Sequence, residues 1–188
     1  ECKPWFRAPL NRPVRFLDLC TGSGCLGITL ALSVAESTGV LADLEAGACE
    51  VAQENVEFHQ VGDRVEVIQS DGFNELFDER FDLIICNPPY VDAEDMAELP
   101  PEYQKEPAVA LASGEDGLDL VRRLLGQAAD WLSDEGIMIL EVGNTWGLLD
   151  REVVARTGEP VQWCQFEFGG HGVCVLSKRE LNALYSAF

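Results

Sequence analysis

Basic residues are scarce in this chain of 188 residues. Thirteen Lys and Arg stand against 33 Asp and Glu, which gives a formal net charge of −20 at pH 7. A protein that binds the phosphates of nucleic acid needs clustered basic side chains to displace counterions. The sequence offers only two adjacent pairs, Arg122-Arg123 and Lys178-Arg179. We therefore expect no direct nucleic-acid binding, and the acidity favours a basic protein partner, although it serves solubility equally well.

Metal-ligand patterns and long apolar runs are also lacking. The chain has two histidines and seven cysteines, and no cysteine pair has C-x-x-C spacing, so no metal site is predicted. An odd number of cysteines indicates a reducing compartment rather than a disulfide framework. No apolar run approaches the roughly 20 residues that span a bilayer. The sequence thus predicts a cytoplasmic domain with no membrane partner.

Strand-like and helix-like segments alternate along most of the chain, a pattern typical of a parallel sheet covered by helices on both faces. The predicted helices lie near residues 22–37, 48–56, 118–132 and 148–156. Seven strands are predicted, at residues 14–19, a segment ending at 43, 64–69, 81–86, 137–142, 161–167 and 172–178. The link between the last two strands is too short for a parallel crossover. The predicted fold is therefore α/β, with a seven-stranded, mostly parallel, doubly wound (Rossmann-like) sheet whose last strand is antiparallel.

A glycine-rich loop follows the first predicted strand. Gly22-Ser23-Gly24-Cys25-Leu26-Gly27 has the G-x-G-x-x-G spacing of dinucleotide sites, and Asp43 stands 21 residues past Gly22. Such a loop directs backbone N–H groups at a ligand, and an acid at the end of the second strand can accept both hydroxyls of a ribose. The pattern predicts an adenosine-type ligand.

Two further acids lie beside this loop in the sequence. Asp18 precedes Gly22 by four residues; it would repel a pyrophosphate but attract a cation such as an amino-acid ammonium. The alternative is that Asp18 only caps the following turn. Asp71, in Ser70-Asp71-Gly72-Phe73, could accept from an adenine amine while Phe73 flanks the ring. An acid in that position is also an ordinary turn residue.

The run Asn87-Pro88-Pro89-Tyr90 directly follows the apolar segment 81–86. The prolines fix φ and remove two backbone donors. Asn87 Oδ1 and the Pro88 carbonyl are then free to accept from a planar NH2 group at the sheet edge where open α/β sheets bind ligands. Tyr90 would wall this slot, and we expect the acidic, prolyl connection after it to fold over the same edge. An isolated tetrapeptide of this kind is just as often an ordinary turn.

Together these motifs resemble the class I S-adenosylmethionine-dependent methyltransferases, specifically the N(5)-glutamine methyltransferases of proteins. The continuation at residues 91–96 and the segments up to Leu118 resemble the branch that acts on large-subunit ribosomal protein three. The resemblance implies S-adenosylmethionine as cofactor and a protein glutamine as methyl acceptor. It assigns the catalytic slot to Asn87, Pro88, Pro89 and Tyr90. It assigns the cofactor to Asp18, Cys20, Thr21, Gly22, Gly24, Asp43, Leu44, Asp71, Gly72, Phe73 and Asn87.

The resemblance also bears on domain organisation. Members of that family carry an amino-terminal helical region, whereas this chain begins at Glu1 with a proline- and arginine-interrupted stretch. We expect residues 1–13 to be the remnant of a preceding segment and residues 14–188 to form the catalytic domain. Four rival functions stay open: methylation of release factors, amino-methylation of a nucleic-acid base, a nicotinamide-dependent oxidoreductase, and a cofactor-binding ribosome assembly factor without catalysis.

Overall fold

A computed structural model describes residues 13–77, 79–89, 116–167 and 170–185 of the chain. Strands and helices alternate through these ranges. The elements are β1 (Arg15–Leu19), α1 (Cys25–Ser33), β2 (Thr38–Asp43), α2 (Ala46–Phe58), β3 (Val65–Gln69), β4 (Phe81–Cys86), α3 (Asp119–Trp131), β5 (Leu132–Glu141), a 3₁₀ turn (Gly143–Thr145), α4 (Trp146–Thr157), β6 (Val173–Ser177) and α5 (Lys178–Tyr185). The four predicted helices are present with shifted ends, and α5 was not predicted.

The strands form one sheet in the order β3-β2-β1-β4-β5-β6. Neighbouring strands from β3 to β5 are parallel, and β6 runs antiparallel to β5. Chain order reverses between β1 and β4, and ligands of open α/β sheets bind outside the carboxyl ends of the strands at such a point. We call the edge at which β1 to β5 end the carboxyl edge. The predicted Rossmann-like fold with an antiparallel last strand is confirmed.

The hydrophobic core lies on both faces of the sheet, as expected for strands covered by helices on each side. In β1, Leu17 and Leu19 pack in one cluster with buried residues of α3, α4 and α5, whereas Phe16 packs in a second cluster with residues of α1 and α2. We call these the α3 face and the α1 face. In β4, Ile84 belongs to the α3 face and Leu83 to the α1 face.

The predicted strand at residues 161–167 is wrong, so the described residues contain six strands rather than seven. This segment makes one isolated antiparallel bridge, between Trp163 and Cys174. The Asp150 carboxylate accepts the Val161 N–H at 3.0 Å and the Trp163 indole N–H at 2.9 Å. The segment is therefore tied to α4 as well as to β6, which accounts for the missing regular ladder.

The chain enters α5 earlier than the strand pattern predicts. Ser177 ends β6, and Glu180 Oε2 accepts the Ser177 backbone N–H at 2.7 Å, while the Glu180 backbone N–H reaches Ser177 Oγ at 3.3 Å. These reciprocal bonds make a capping box. The serine and glutamate three residues apart were a signal for a helix start that the predicted strand at 172–178 overlooked.

Three predictions fall wholly or largely on residues outside the described ranges: the separate segment at residues 1–13, the role of Tyr90 and the loop that follows it. All three stay predictions. None of the helices within the described ranges is long and apolar enough to cross a membrane.

The first prediction concerns Gly39 on β2. A Cβ added there would lie 2.2–2.5 Å from ring atoms of Phe16, whereas a Cβ at Gly47 in α2 has no neighbour within 4 Å. Overpacking typically costs about 1–3 kcal/mol, so Gly39→Ala should lower the free energy of unfolding by that amount. Gly47→Ala is the matched control and should be neutral or stabilising by up to about 1 kcal/mol. Urea unfolding followed by circular dichroism measures both, and equal midpoints would contradict the close packing.

Candidate functional site

A buried carboxylate on the central strand organises the glycine loop. Asp18 is 1% exposed. Its Oδ2 accepts the Thr21 hydroxyl at 2.7 Å and the Gly27 backbone N–H at 2.8 Å. Its Oδ1 has no hydrogen-bond partner among the residues that the structure describes. Asp18 thus caps the turn and also keeps one acceptor free; its attraction of a ligand cation stays a prediction.

Burial raises the pKa of Asp18 to about 6, against hydrogen bonds from Thr21 and Gly27 that lower it; the charge of Asp43 raises it further. A buried carboxylate with an unsatisfied oxygen is costly unless a donor reaches it. A ligand ammonium, or a water bridging to it, would supply that donor.

Gly22 and Gly27 of the loop have different structural roles. Gly22 has a φ of +56°, and a Cβ there would meet nothing within 4 Å, so its backbone borders open space that a ligand can enter. Gly27 lies in the first turn of α1, and a Cβ there would lie 2.2 Å from Leu41 and 3.0 Å from Asp18. The absence of a side chain at Gly27 therefore lets α1 sit directly on β1 and β2.

Asp43 connects the end of β2 to the same loop. Its Oδ2 accepts the Gly22 N–H at 2.8 Å, and its Oδ1 accepts the Glu45 N–H at 3.0 Å. Each carboxylate oxygen has a second acceptor position, which leaves room for the two hydroxyls of a ribose. Leu44, the next residue, is 47% exposed and offers an apolar surface beside this position.

Asp71 lies after the end of β3 and is held by an arginine that sequence reasoning missed. Arg123 Nη2 of α3 lies 2.5 Å from Asp71 Oδ1. Hydrogen bonding to Arg123 lowers the pKa of Asp71 and keeps its carboxylate charged. The two residues are 52 positions apart in the chain, so no local pattern could have paired them.

The structure does not bring the ring of Phe73 to the open surface. Phe73 is 2% exposed and stacks on Trp131 with ring centroids 5.5 Å apart, inside the core. Cys20 is partly buried, packs against the same core cluster and contacts Cys86, and burial raises the pKa of the Cys86 thiol well above its usual range. Phe73 can therefore contribute only backbone groups, as can Gly24 and Gly72, whereas the predicted role of Cys20 stays a prediction.

The amide slot lies at the end of β4, next to β1. Asn87 is exposed, Pro88 is buried and Pro89 is partly buried. No hydrogen bond to the Asn87 amide is formed within the described ranges, so its Oδ1 is available as an acceptor. Tyr90 lies outside those ranges, and its predicted role as a wall stays a prediction.

The residues fit an adenosyl amino acid. The unpaired Oδ1 of Asp18 suits the ammonium of such a ligand, and the acceptors of Asp43 suit its ribose. The open space at Gly22 lets the ligand lie against the backbone of the glycine loop. The slot of Asn87 then lies on the neighbouring strand, because β4 pairs with β1.

The sequence of the chain is similar to those of known methyltransferases. Residues 8–100 match the family model described as methyltransferase small domain. Two curated relatives are both named ribosomal protein uL3 glutamine methyltransferase. The Francisella tularensis relative is 40% identical over all of this chain, and the Bordetella pertussis relative is 46% identical over 95% of it. Over its whole length the chain is thus similar to methyltransferases. It spans 59% of the length of each of these two relatives.

The fold of this chain is shared with a solved protein of much lower sequence similarity. A methyltransferase from Pyrococcus furiosus superimposes with a TM-score of 0.64 at 20% identity, over 93% of this chain and 79% of that one. The predicted resemblance to methyltransferases is thus confirmed. The assignment of single residues to cofactor and substrate stays a prediction.

We predict that the affinity for S-adenosylhomocysteine falls as the pH is lowered through about 6. Protonation of Asp18, whose pKa is raised to about 6, removes the charge that faces the ligand ammonium. Linkage limits the loss to roughly tenfold per pH unit below that pKa. Isothermal titration calorimetry between pH 5 and pH 8 measures it. Asp18→Asn should bind weakly and without this pH dependence, and an unchanged wild-type affinity at pH 5 would contradict the assignment.

We also predict that Arg123→Ala weakens S-adenosylhomocysteine binding about twofold to fivefold, because Asp71 loses the partner that orients it. Both side chains are 43% exposed, and exposed ion pairs contribute at most about 1 kcal/mol. The melting temperature without ligand should therefore barely change. Arg80→Ala, which removes an exposed arginine just before β4 begins, is the matched control and should leave the affinity unchanged. If the two variants bound S-adenosylhomocysteine with equal affinity, Arg123 would have no role in cofactor binding.

Proposed function

We propose that this protein transfers a methyl group from S-adenosylmethionine to the side-chain amide nitrogen of a glutamine in a protein, and that this protein is ribosomal protein uL3. The main observation behind the proposal is the pairing of β1 with β4. It places the residues that we assign to the cofactor, Asp18 and Gly22, beside the Asn87-Pro88 slot. The names of the two relatives at 40% and 46% identity support the choice of substrate.

The bound cofactor supplies an electrophilic methyl group on a sulfonium. Within this chain, Asp18 attracts the ammonium and Asp43 accepts from the ribose hydroxyls. Asp71, oriented by Arg123, accepts from the adenine amine. The three carboxylates follow or lie within β1, β2 and β3, so they are spread along one side of the carboxyl edge.

The slot solves the central difficulty of the reaction. An amide nitrogen is a weak nucleophile because its lone pair is delocalised into the carbonyl. Asn87 Oδ1 and the Pro88 carbonyl each accept one N–H of the glutamine amide, which fixes the nitrogen with one face free. Such orientation can account for several kcal/mol of a barrier. The same carbonyl dipoles stabilise the positive charge that develops on the nitrogen, and its proton becomes acidic only after transfer, so no base is needed beforehand.

Charge complementarity supports a basic protein as substrate. The chain carries a net charge of −20, and opposite fields speed the encounter of two proteins and narrow the choice of partner. We propose that modification takes place in the cytoplasm on unassembled uL3 or during ribosome assembly. We further propose that residues 14–188 form the catalytic domain.

A substrate panel tests the proposal. The purified protein is incubated with labelled S-adenosylmethionine and, separately, with unassembled uL3, a peptide-chain release factor and duplex DNA. Label on uL3, located on a glutamine by mass spectrometry, is the expected result. Label on the release factor or on DNA alone would favour those rival substrates. Cofactor binding without label on any substrate would favour an assembly factor.

We predict that Asn87→Ala lowers kcat for uL3 methylation at least about a hundredfold, because the amide nitrogen loses one of its two acceptors. The dissociation constant for S-adenosylhomocysteine should change little. Asn182→Ala, an exposed asparagine on α5, is the control and should retain activity. If Asn87→Ala instead weakened cofactor binding and kept kcat at saturating cofactor, Asn87 would belong to the cofactor site alone.

A further inference from the structure

Glu141 ends β5 directly beside the amide slot. In the parallel pairing of β4 with β5, Cys86 lies opposite Leu140. The next residues of the two strands, Asn87 and Glu141, therefore lie at the same level of the carboxyl edge. Adjacent strands are about 4.8 Å apart, so the two side chains start within reach of one substrate group.

The two side chains also lie on the same face of the sheet. Ile137 and Ile139 pack in the α1-face cluster, and strand alternation places Glu141 with them. Leu83 and Ile85 of β4 belong to that cluster too. A residue that precedes proline is held extended, so the alternation of β4 continues to Asn87 and sets it on the same face as Glu141.

The order of the strands separates the cofactor from Glu141. Asp18, Asp43 and Asp71 lie on or after β1, β2 and β3, whereas β5 lies on the other side of β4. A glutamine that enters the slot at Asn87 with the cofactor on one side must carry its peptide backbone on the other. Glu141 occupies that other side.

The surroundings of Glu141 form a rigid frame. The Val142 N–H donates to the Gly172 carbonyl at 2.7 Å, and a Cβ at Gly172 would lie 2.4 Å from the Gly143 carbonyl oxygen. The Asn144 side chain bonds to His171 Nε2 at 3.0 Å. Glu141 therefore projects from a closely packed junction of β5 and β6.

Glu141 is partly buried, and its carboxylate makes no hydrogen bond or ion pair with any residue that the structure describes, unlike two other acids of the chain that hold a cation. Asp71 pairs with Arg123, and Glu152 pairs with Arg122. We propose that Glu141 binds a Lys or Arg side chain of the protein substrate close to the target glutamine, and so selects which glutamine enters the slot. This role rests on the proposed function and makes Glu141 a specificity-determining residue.

Steady-state kinetics with unassembled uL3 test the role. Glu141→Gln should raise KM for uL3 roughly fivefold to tenfold with kcat nearly unchanged. Its affinity for S-adenosylhomocysteine should equal that of the wild type. The rise of KM with salt should be shallower in this variant, because one ion pair is missing. Glu135→Gln is the matched control: it removes the same charge from an exposed position toward the opposite end of β5 and should behave as wild type.

The outcomes separate this role from the function on which it rests. Equal KM values for Glu141→Gln and Glu135→Gln, with uL3 methylated by the wild type, would overturn the role of Glu141 alone. If Glu141→Gln raised KM but left its salt dependence unchanged, the claim that Glu141 binds a Lys or Arg side chain would be overturned. Failure of the wild type to modify uL3 while it binds S-adenosylhomocysteine would overturn the proposed substrate and this role together.

Discussion

The two hydrogen bonds accepted by Asp18 Oδ2 are the constraint on which the site depends. One joins β1 to Thr21 at the start of the glycine loop, and the other joins β1 to Gly27 in the first turn of α1. The loop is therefore pinned at both ends to a buried carboxylate. Because Gly27 has no side chain, α1 packs on β1 closely enough for the bond to form. The remaining oxygen of Asp18 carries a charge that burial makes costly, and a cationic ligand group relieves that cost.

The order of the strands places groups with different proposed roles side by side along the carboxyl edge. Acids at the ends of β1, β2 and β3 line one side of the carboxyl edge, the amide slot follows β4, and the β5–β6 junction lies beyond it. In the proposed reaction, cofactor, reacting nitrogen and substrate peptide thus lie in sequence along one edge. The main contribution of the protein to this reaction is to orient the two reactants, because the methyl group of the cofactor is already activated and the glutamine amide needs only to be held in place.

Ion pairs join the helices that cover the α3 face of the sheet. Arg122 joins Asp116 and Glu152, which links the start of α3 to α4, and the Tyr185 hydroxyl of α5 donates to the Arg122 carbonyl. Arg123, its neighbour in sequence, points instead to Asp71 in the site. Two adjacent arginines of α3 thus have different roles. Arg122 joins α3 to α4 and α5, and Arg123 orients the Asp71 carboxylate, which we assign to the cofactor.

Strand and helix periodicity, the glycine spacing and the Asn-Pro-Pro-Tyr run determined by themselves the fold class and the resemblance to methyltransferases, because these signals are local. The sequence misjudged residues 161–167, where the Asp150 carboxylate of α4 competes with the ladder. It also placed the Phe73 ring at the ligand, whereas the ring stacks on Trp131 in the core. Only the tertiary structure decided the pairing of Asp71 with Arg123 and the adjacency of Glu141 to Asn87. Both depend on strand order and helix packing, which bring together residues more than fifty positions apart.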